Sequence, residues 1–251
     1  AFPFTRYGSY PVDVGCVGKG AAINAADTIF FIGKTDRGTA VFYSITGNSP
    51  TPISNSAVEE ALLTSTDLSA TTLWTYQISG HEFIGINAPG LDTTWVYDAR
   101  QKEWHERGEW VDGAWEPLKW VTVTAIDGRH YAGCSNGEVV LIDDSAYTLS
   151  GRTLARERVW PHLVKPSLDL VYYASLELHA QTGITEGIIS LQVSNDGGFT
   201  YGDPIQRNLG VTGRWMQRIR WLRLGAAFDR VFKIRVTDPV PFSIYAAAVE
   251  T

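Results

Sequence analysis

The stretch HEFIGINAPGLDTTWVYDARQ, residues 81–101, decides the fold of this 251-residue chain. It reads as one strand that passes through Gly85, a polar turn, and a second strand rich in β-branched and aromatic residues. The same order of features returns in residues 27–47 and 129–145, each time around a glycine. A period of roughly 50 residues built from short strands is typical of β-propeller blades.

Further strand candidates precede the second and third repeats, at residues 72–79 and 119–126, and residues 103–108 follow the second. Each repeat therefore contains about four strands, the number found in one propeller blade. Three blades do not close a ring, because propellers use at least four. Met216 is the only methionine, so we expect this chain to be part of a longer one that supplies further blades, unless the C-terminal region does so.

Residues 56–63 predict one helix, with Ser56 as the N-cap and Glu59 three positions later, the pattern of a capping box. From about residue 159 the predicted strands become longer. We assign residues 1–158 to β-propeller blades and residues 159–251 to an antiparallel β module. That module is either a β-sandwich or a set of blades that closes the propeller. The predicted fold class is all-β.

Charge is distributed unevenly along the chain, whose net charge is −6. Residues 1–150 carry 9 basic and 18 acidic side chains, whereas residues 151–251 carry 12 and 9. This charge distribution argues against a basic nucleic-acid-binding surface. It favours two regions that face different surroundings. The sequence has no apolar run of membrane-spanning length and no signal peptide, so we expect no membrane association.

Catalytic and metal-binding patterns are absent from the sequence. It has no Gly-x-Ser-x-Gly elbow, no Walker loop and no His-Glu-x-x-His. The five histidines are scattered, without a cysteine or carboxylate at metal-ligand spacing. We therefore expect no catalytic residue, no metal site and no cofactor.

The segment SNDGGFTY, residues 194–201, combines strong turn residues with a return to extended chain. Five positions match the Asp-box, a hairpin signature of sialidases and other β-propellers: Ser194, Asp196, Gly198, Thr200 and Tyr201. A sialidase also needs an arginine cluster and a catalytic pair. The favoured interpretation is a structural turn in which Asp196 accepts backbone N–H bonds and Tyr201 packs inward.

Basic residues alternate along two strand candidates near the C-terminus. Arg218 and Arg220 share one face of the first strand, and Lys233 and Arg235 share one face of the second. If a hairpin joins the two strands, these four side chains form a basic stripe. The stripe is either a solvated outer face or a candidate subunit interface for an acidic neighbour, such as another subunit's propeller.

Tryptophans recur five or six positions apart at Trp104, Trp110, Trp115 and Trp120. Exposed on loops, such rings can stack on sugars or bases. Packed between blades, they bury most of the ring. Trp110 and Trp115 are the candidate ligand-stacking residues if the first interpretation holds.

Four segments of the chain resemble one family: residues 49–62, 80–108, 193–204 and 221–241. The most specific are TWVYDARQKEWHERG and RLGAAFDRVF within them. Together they resemble the packaged-DNA stabilisation proteins of short-tailed bacteriophages, a family also described as the tail nozzle or hub. The resemblance spans most of the chain and corresponds to the C-terminal half of a full family member.

The resemblance implies a structural virion protein rather than an enzyme. Its members form a homohexameric ring below the portal and adaptor, which continues the DNA channel and retains the packaged genome. Implied partners are further copies of itself, adaptor or head-to-tail connector proteins, a tail needle or plug, and tailspike or fibre proteins. Double-stranded DNA would pass through the lumen without specific binding, and no membrane is involved. The implied location is the phage tail, assembled in the host cytoplasm.

A second class of function remains open at this point. A carbohydrate-binding or glycan-cleaving, sialidase-like propeller acting on host surface sugars would also use a β-propeller, an Asp-box and exposed tryptophans. An acidic wall suits the tail ring better, because it repels DNA phosphates, whereas a lysine-rich wall would bind them.

Overall fold

The computed structural model describes residues 14–35, 38–47 and 49–251. The chain divides into two compact units, Ala1–Asp144 and Ser145–Thr251. All strand pairs in the described residues are antiparallel, which confirms the predicted all-β class.

The division between the units falls earlier than the expected boundary at residue 158. A small hairpin of two-residue strands, Thr148–Leu149 and Arg152–Thr153, comes first in the second unit. The next strand, Arg156–Val159, belongs to the main sheet of that unit. The strands around this boundary are too short to show alternation in the sequence.

Three sheets follow one another along the first unit. The first contains β1 (Gly15–Cys16), β2 (Ala22–Ala25), β3 (Thr28–Lys34), β4 (Ala40–Thr46) and β5 (Ser49–Pro52). The second contains β6 (Thr72–Ile78), β7 (His81–Asn87), β8 (Thr94–Asp98), β9 (Glu103–Val111) and β10 (Ala114–Pro117). The third contains β11 (Trp120–Ile126), β12 (Arg129–Cys134) and β13 (Val139–Ile142). Each of the three sequence repeats thus lies within one sheet.

The repeated glycines lie where a neighbouring side chain occupies the space of a Cβ atom. Gly85 is paired with Trp74 across β6 and β7, and a Cβ on Gly85 would lie 2.2 Å from the indole ring. A Cβ on Gly33 would lie 2.3 Å from Cγ1 of Val14. At Gly133 the nearest atom, a threonine methyl, would be 3.2 Å away. The glycine pattern therefore reflects close packing in two of the three sheets.

The core of the first unit joins the first sheet, a helix and the second sheet. Helix α1 (Ser56–Thr64) contributes Val58 and Leu62, both fully buried. Phe30 and Phe42 of the first sheet stack with ring centroids 5.9 Å apart. Tyr97 of the second sheet packs against both rings. Aromatic burial of this kind stabilises the contact between two consecutive blades.

The predicted N-cap of helix α1 was wrong by one residue. Asn55 is the cap, because its Oδ1 accepts a hydrogen bond from the backbone N–H of Val58 at 3.0 Å. The Glu59 carboxylate accepts a hydrogen bond from Ser54 Oγ at 2.8 Å instead of returning to Ser56. A 3₁₀ helix, Leu68–Ala70, follows and leads into β6.

The second unit contains ten more strands after the small hairpin β14 (Thr148–Leu149) and β15 (Arg152–Thr153). Their bounds are β16 (Arg156–Val159), β17 (Leu163–Val164), β18 (Val171–Tyr172), β19 (Ser175–Ala180), β20 (Ile188–Ser194), β21 (Ile205–Asn208), β22 (Ile219–Leu222), β23 (Ala226–Ala227), β24 (Asp229–Val236) and β25 (Ile244–Glu250). One sheet, the β24 sheet, has the order β16-β24-β20-β21, with β17 also paired to β24. The other, the β19 sheet, has the order β22-β19-β25, and β18 pairs with β23.

These two sheets face each other across one hydrophobic core. Leu191 and Ile234 of the β24 sheet belong to the same buried cluster as Leu178 and Trp221 of the β19 sheet. Alternate residues of each strand therefore point inward, as in a β-sandwich.

The predicted hairpin between the two arginine-rich strands is wrong. β22 pairs with β19, whereas β24 pairs with β16, β17 and β20. The apolar residues next to Arg220 and Lys233 point into the shared core. Arg220 and Lys233 therefore lie on opposite outer faces of the sandwich, and the four basic residues do not form one stripe.

Candidate functional site

The Asp-box residues form a compact turn between β20 and β21. Ser194, only 1% exposed, donates a hydrogen bond from Oγ to Oδ1 of Asp196 at 2.6 Å and accepts one from Gly198 N at 2.8 Å. Asp196 Oδ1 also accepts the N–H of Thr200 at 2.9 Å, and the Thr200 hydroxyl donates to Oδ2. The Asp196 carboxylate is thus used to hold the turn together.

These hydrogen bonds lower the pKa of the Asp196 carboxyl group. Donors from Ser194, and then from Thr200, lower the pKa of Asp196 to about 2. The pKa of an aspartate in an unfolded chain is about 3.9. The ionised turn therefore stabilises the fold above about pH 4, and this contribution is lost as the pH falls toward 2.

We expect Asp196→Asn to destabilise the second unit at neutral pH and to have progressively less effect as the pH falls from about 4 toward 2. The measurement is the urea midpoint of both proteins across this range, followed by circular dichroism. Asp203→Asn is the matched control, since Asp203 is an exposed carboxylate just beyond the turn. A stability difference between wild type and Asp196→Asn that stays constant down to pH 2 would contradict this role.

Tyr201 and the basic residues of β24 form a cluster on the outer face of the β24 sheet. Lys233 Nζ lies 3.8 Å from the centroid of the Tyr201 ring, a cation–π contact. Burial lowers the pKa of Lys233 and raises that of Tyr201. The Arg235 guanidinium donates to the carboxylate of Glu157 on the neighbouring strand. Both basic residues thus have partners inside their own unit.

Arg218 and Arg220 bind carboxylates on the outer face of the β19 sheet. Arg218 donates two hydrogen bonds to Glu177. Arg220 Nη2 donates to Glu250 at 2.6 Å and to Ser175 Oγ at 3.0 Å. Hydrogen bonding from Arg218 lowers the pKa of Glu177. A role of these arginines in a subunit interface stays a prediction, and any partner would have to compete with these ion pairs.

The four recurring tryptophans divide into two pairs with different surroundings. Trp104 packs edge-on against Phe42 at 5.3 Å, and Trp120 packs against Trp74 at 5.1 Å. Trp110 and Trp115 face each other across the β9–β10 hairpin, with ring centroids 5.7 Å apart, and both are half-buried. Trp115 also covers Gly108, where a Cβ would lie 2.6 Å from its ring. The second pair packs mainly against its own hairpin.

Sequence reasoning missed a partly buried cation–aromatic cluster in the second sheet. The guanidinium of Arg107 lies 4.6 Å from the ring centroid of Phe83 and 5.5 Å from that of Tyr76. It also donates a hydrogen bond to the Tyr76 hydroxyl. Burial lowers the pKa of Arg107 to about 10. The spacing of residues along the chain does not predict this cluster, because Arg107, Phe83 and Tyr76 come from three different strands.

Two histidines have carboxylate partners that the sequence did not reveal. His81 Nδ1 lies 2.6 Å from Oδ2 of Asp98, whose side chain is almost fully buried. Burial alone would raise the pKa of Asp98, but hydrogen bonds from Gln101, His81 and Arg100 together hold it below its usual range. His162 Nδ1 lies 2.8 Å from Asp229 in the second unit. The first pair joins the consecutive strands β7 and β8, whereas the second joins residues 67 positions apart in the sequence.

Within residues 14–35, 38–47 and 49–251, no three histidine, cysteine or carboxylate side chains lie close enough together to hold a metal ion. No helix in these ranges is both long and apolar enough to cross a membrane.

Three consecutive sheets followed by a two-sheet sandwich define a two-domain all-β protein, a propeller unit joined to a sandwich. Two family models match these parts separately: "Bacteriophage P22 Gp10, beta-propeller" over residues 1–125 and "Bacteriophage P22 Gp10, beta-sandwich" over residues 155–251. The chain belongs to the bacteriophage P22 Gp10 family. It is a phage structural protein, which confirms the resemblance found in the sequence, and the second unit is the sandwich rather than closing blades.

No curated protein matches the chain. Among solved structures it is similar to an exo-β-1,3-galactanase from Phanerochaete chrysosporium, at 7% identity and a TM-score of 0.25, over 89% of this chain and 67% of the galactanase. It is also similar to an arabinoxylan arabinofuranohydrolase from Bacillus subtilis, at 10% identity and a TM-score of 0.28, over 93% of this chain and 68% of that enzyme. Likeness at this level carries no argument about activity.

Proposed function

We propose that this protein forms a homohexameric ring in the tail of a short-tailed phage, below the portal and adaptor. The ring continues the DNA channel and retains the packaged genome without catalysing a reaction. The observation that carries the proposal is membership of the Gp10 family over both units. Its partners are further copies of itself, adaptor or connector proteins, a needle or plug, and tailspike or fibre proteins. Assembly takes place in the host cytoplasm.

The charge of the first unit supports a channel wall that DNA passes without being held. Residues 1–150 have 18 acidic and 9 basic side chains, a net charge of −9. Many of the acidic residues are exposed, among them Asp27, Asp67, Asp92, Glu103, Asp112 and Asp127. Exposed carboxylates repel phosphates, whereas lysine and arginine would bind them and release counterions.

The proposal is tested in phage particles that lack this protein. We expect heads to be filled with DNA during packaging and then to lose it, so that most purified particles are empty. Supplying the wild-type protein from a plasmid should restore filled particles. The measurement is the ratio of filled to empty heads in a density gradient, with DNA content determined for each band. Filled, stable heads in the absence of the protein would contradict the proposal.

A titration with host polysaccharide separates this function from the glycan alternative. A tail ring should show no change in tryptophan fluorescence and no release of sugar. Binding that disappears in Trp110→Ala and Trp115→Ala would favour the glycan alternative instead, since this pair is the candidate stacking site.

A further inference from the structure

The sandwich is open along one side, where the edge strands β16 and β25 of its two sheets meet. A groove of about 430 Å³ lies between them. It is lined by Arg156, Glu157, Arg158, Trp160, Ile234, Phe242, Ile244, Tyr245, Ala246 and Ala247. The floor is therefore apolar, and charged side chains of β16 form one wall.

Strand register explains why arginines reach this groove. Arg158 is paired with Ile234 across β16 and β24, and Ile234 points into the core. Directly paired residues share a face, so Arg158 also points to the inner side of the sheet. Its neighbour Arg156 is held by backbone carbonyls, donating to Val240 at 2.6 Å and to Asp238 at 2.7 Å. Arg158 is exposed and, within the described residues, has no ion pair of its own.

The other side of the groove is a free sheet edge. β25 pairs with β19 along one side only, and six of its seven residues are exposed. Its sequence, IYAAAVE, contains no proline, lysine or arginine. Natural edge strands commonly carry such residues to prevent pairing with another strand. An edge that lacks them, next to an apolar groove, suits the addition of an extended segment.

The groove chemistry specifies the segment that would fit. One side of the added strand would lie over the apolar floor and needs apolar side chains at alternate positions. A carboxylate near the end of the strand would meet the Arg158 guanidinium. The strand itself needs a free edge of its own to pair with β25.

β13 of the third sheet meets these requirements. It is an edge strand with the sequence VVLI, flanked by Glu138 and Asp143. Val139 and Leu141, at alternate positions, are 71% and 45% exposed. The last strand of each of the other two sheets is less suited to pairing, because β5 contains two prolines and β10 ends in one.

We propose that the free edge of β13 in one copy of this protein pairs with the free edge of β25 in a second copy. Val139 and Leu141 then cover the apolar floor of the groove, and the acidic end of β13 approaches Arg158. The contact joins two different surfaces, so it is heterologous and can generate a ring. It rests on the proposed ring and names the contact between its subunits.

The first test exchanges charges across this contact in the 251-residue protein. Arg158→Glu and Asp143→Lys should each raise the dissociation constant of self-association about tenfold or more, because like charges then face each other. The double variant should recover association close to wild type. Arg214→Glu is the matched control, since Arg214 is an exposed arginine outside the groove. The measurement is sedimentation velocity over a concentration series.

The second test is a disulfide between the two edges. In a Cys16→Ser, Cys134→Ser background, Ala247→Cys combined with Leu141→Cys, or with Val139→Cys, should give covalent oligomers on oxidation. Ile126→Cys in place of Leu141→Cys is the control, since Ile126 is exposed on β11, at the opposite edge of the same sheet from β13. Cross-linking no stronger than the control, or single charge variants that associate like wild type, would overturn the inference. Filled heads that depend on the protein would then still support the ring.

Discussion

Trp221→Ala is expected to lower the free energy of unfolding of the second unit by about 3–5 kcal/mol. Trp221 is fully buried in the sandwich core, and its Nε1 donates a hydrogen bond to the carbonyl of Ile205 at 2.7 Å. Truncation leaves a large cavity between the two sheets and removes the donor from that carbonyl. The measurement is urea unfolding followed by far-ultraviolet circular dichroism, which does not depend on the lost fluorophore.

Trp215→Ala is the matched control for this truncation. Trp215 lies six positions earlier in the same unit but is 65% exposed. Removing it should change the free energy of unfolding by no more than about 0.5 kcal/mol. Equal effects of the two substitutions would mean that Trp221 does not organise the core of the sandwich.

Gly85→Ala is expected to destabilise the first unit by about 3 kcal/mol, in the upper part of the range for overpacking. The new methyl group would lie 2.2 Å from the ring of Trp74, which is 1% exposed. The indole is packed against Trp120 and Tyr76 and cannot move without displacing them. Thermal unfolding of the full chain, resolved into its transitions, measures the effect.

Gly133→Ala provides the comparison for this substitution. The glycine occupies the same place in its repeat, but the added Cβ would meet only a threonine methyl at 3.2 Å. The loss should be about 1 kcal/mol or less. If Gly133→Ala were as damaging as Gly85→Ala, backbone conformation rather than the Trp74 ring would explain the glycine pattern.

The sequence contains enough information to predict the sheets but not all of their partners. Within a repeat, strands such as β7 and β8 are close in sequence, so alternation and turn residues define both of them. The repeat at residues 81–101 therefore predicts its own hairpin. The Asp-box turn is local in the same way, since Ser194, Asp196 and Thr200 contact one another within seven residues.

Contacts between distant segments could not be predicted in this way. β22 and β24 are neighbours in sequence, which suggested a hairpin, but each pairs with strands from elsewhere in the unit. The carboxylate partner of Arg218 is Glu177, on a strand that no local pattern connects to it. Arg107 is likewise surrounded by residues of other strands. Burial and ion pairing of these groups depend on tertiary structure, and hydrophobic periodicity predicts only secondary structure.

The pairing of β16 with β24 has a consequence for the order of folding during synthesis. In the second and third sheets, every strand pairs with its neighbour in sequence, so each sheet can form as soon as its own residues leave the ribosome. β16 instead places Arg156 opposite Val236, near the two ends of the second unit. The β16–β24 pairing of the sandwich therefore cannot form until almost the whole unit has been translated. Until then β16 is an unpaired segment, and the propeller sheets are already formed before it.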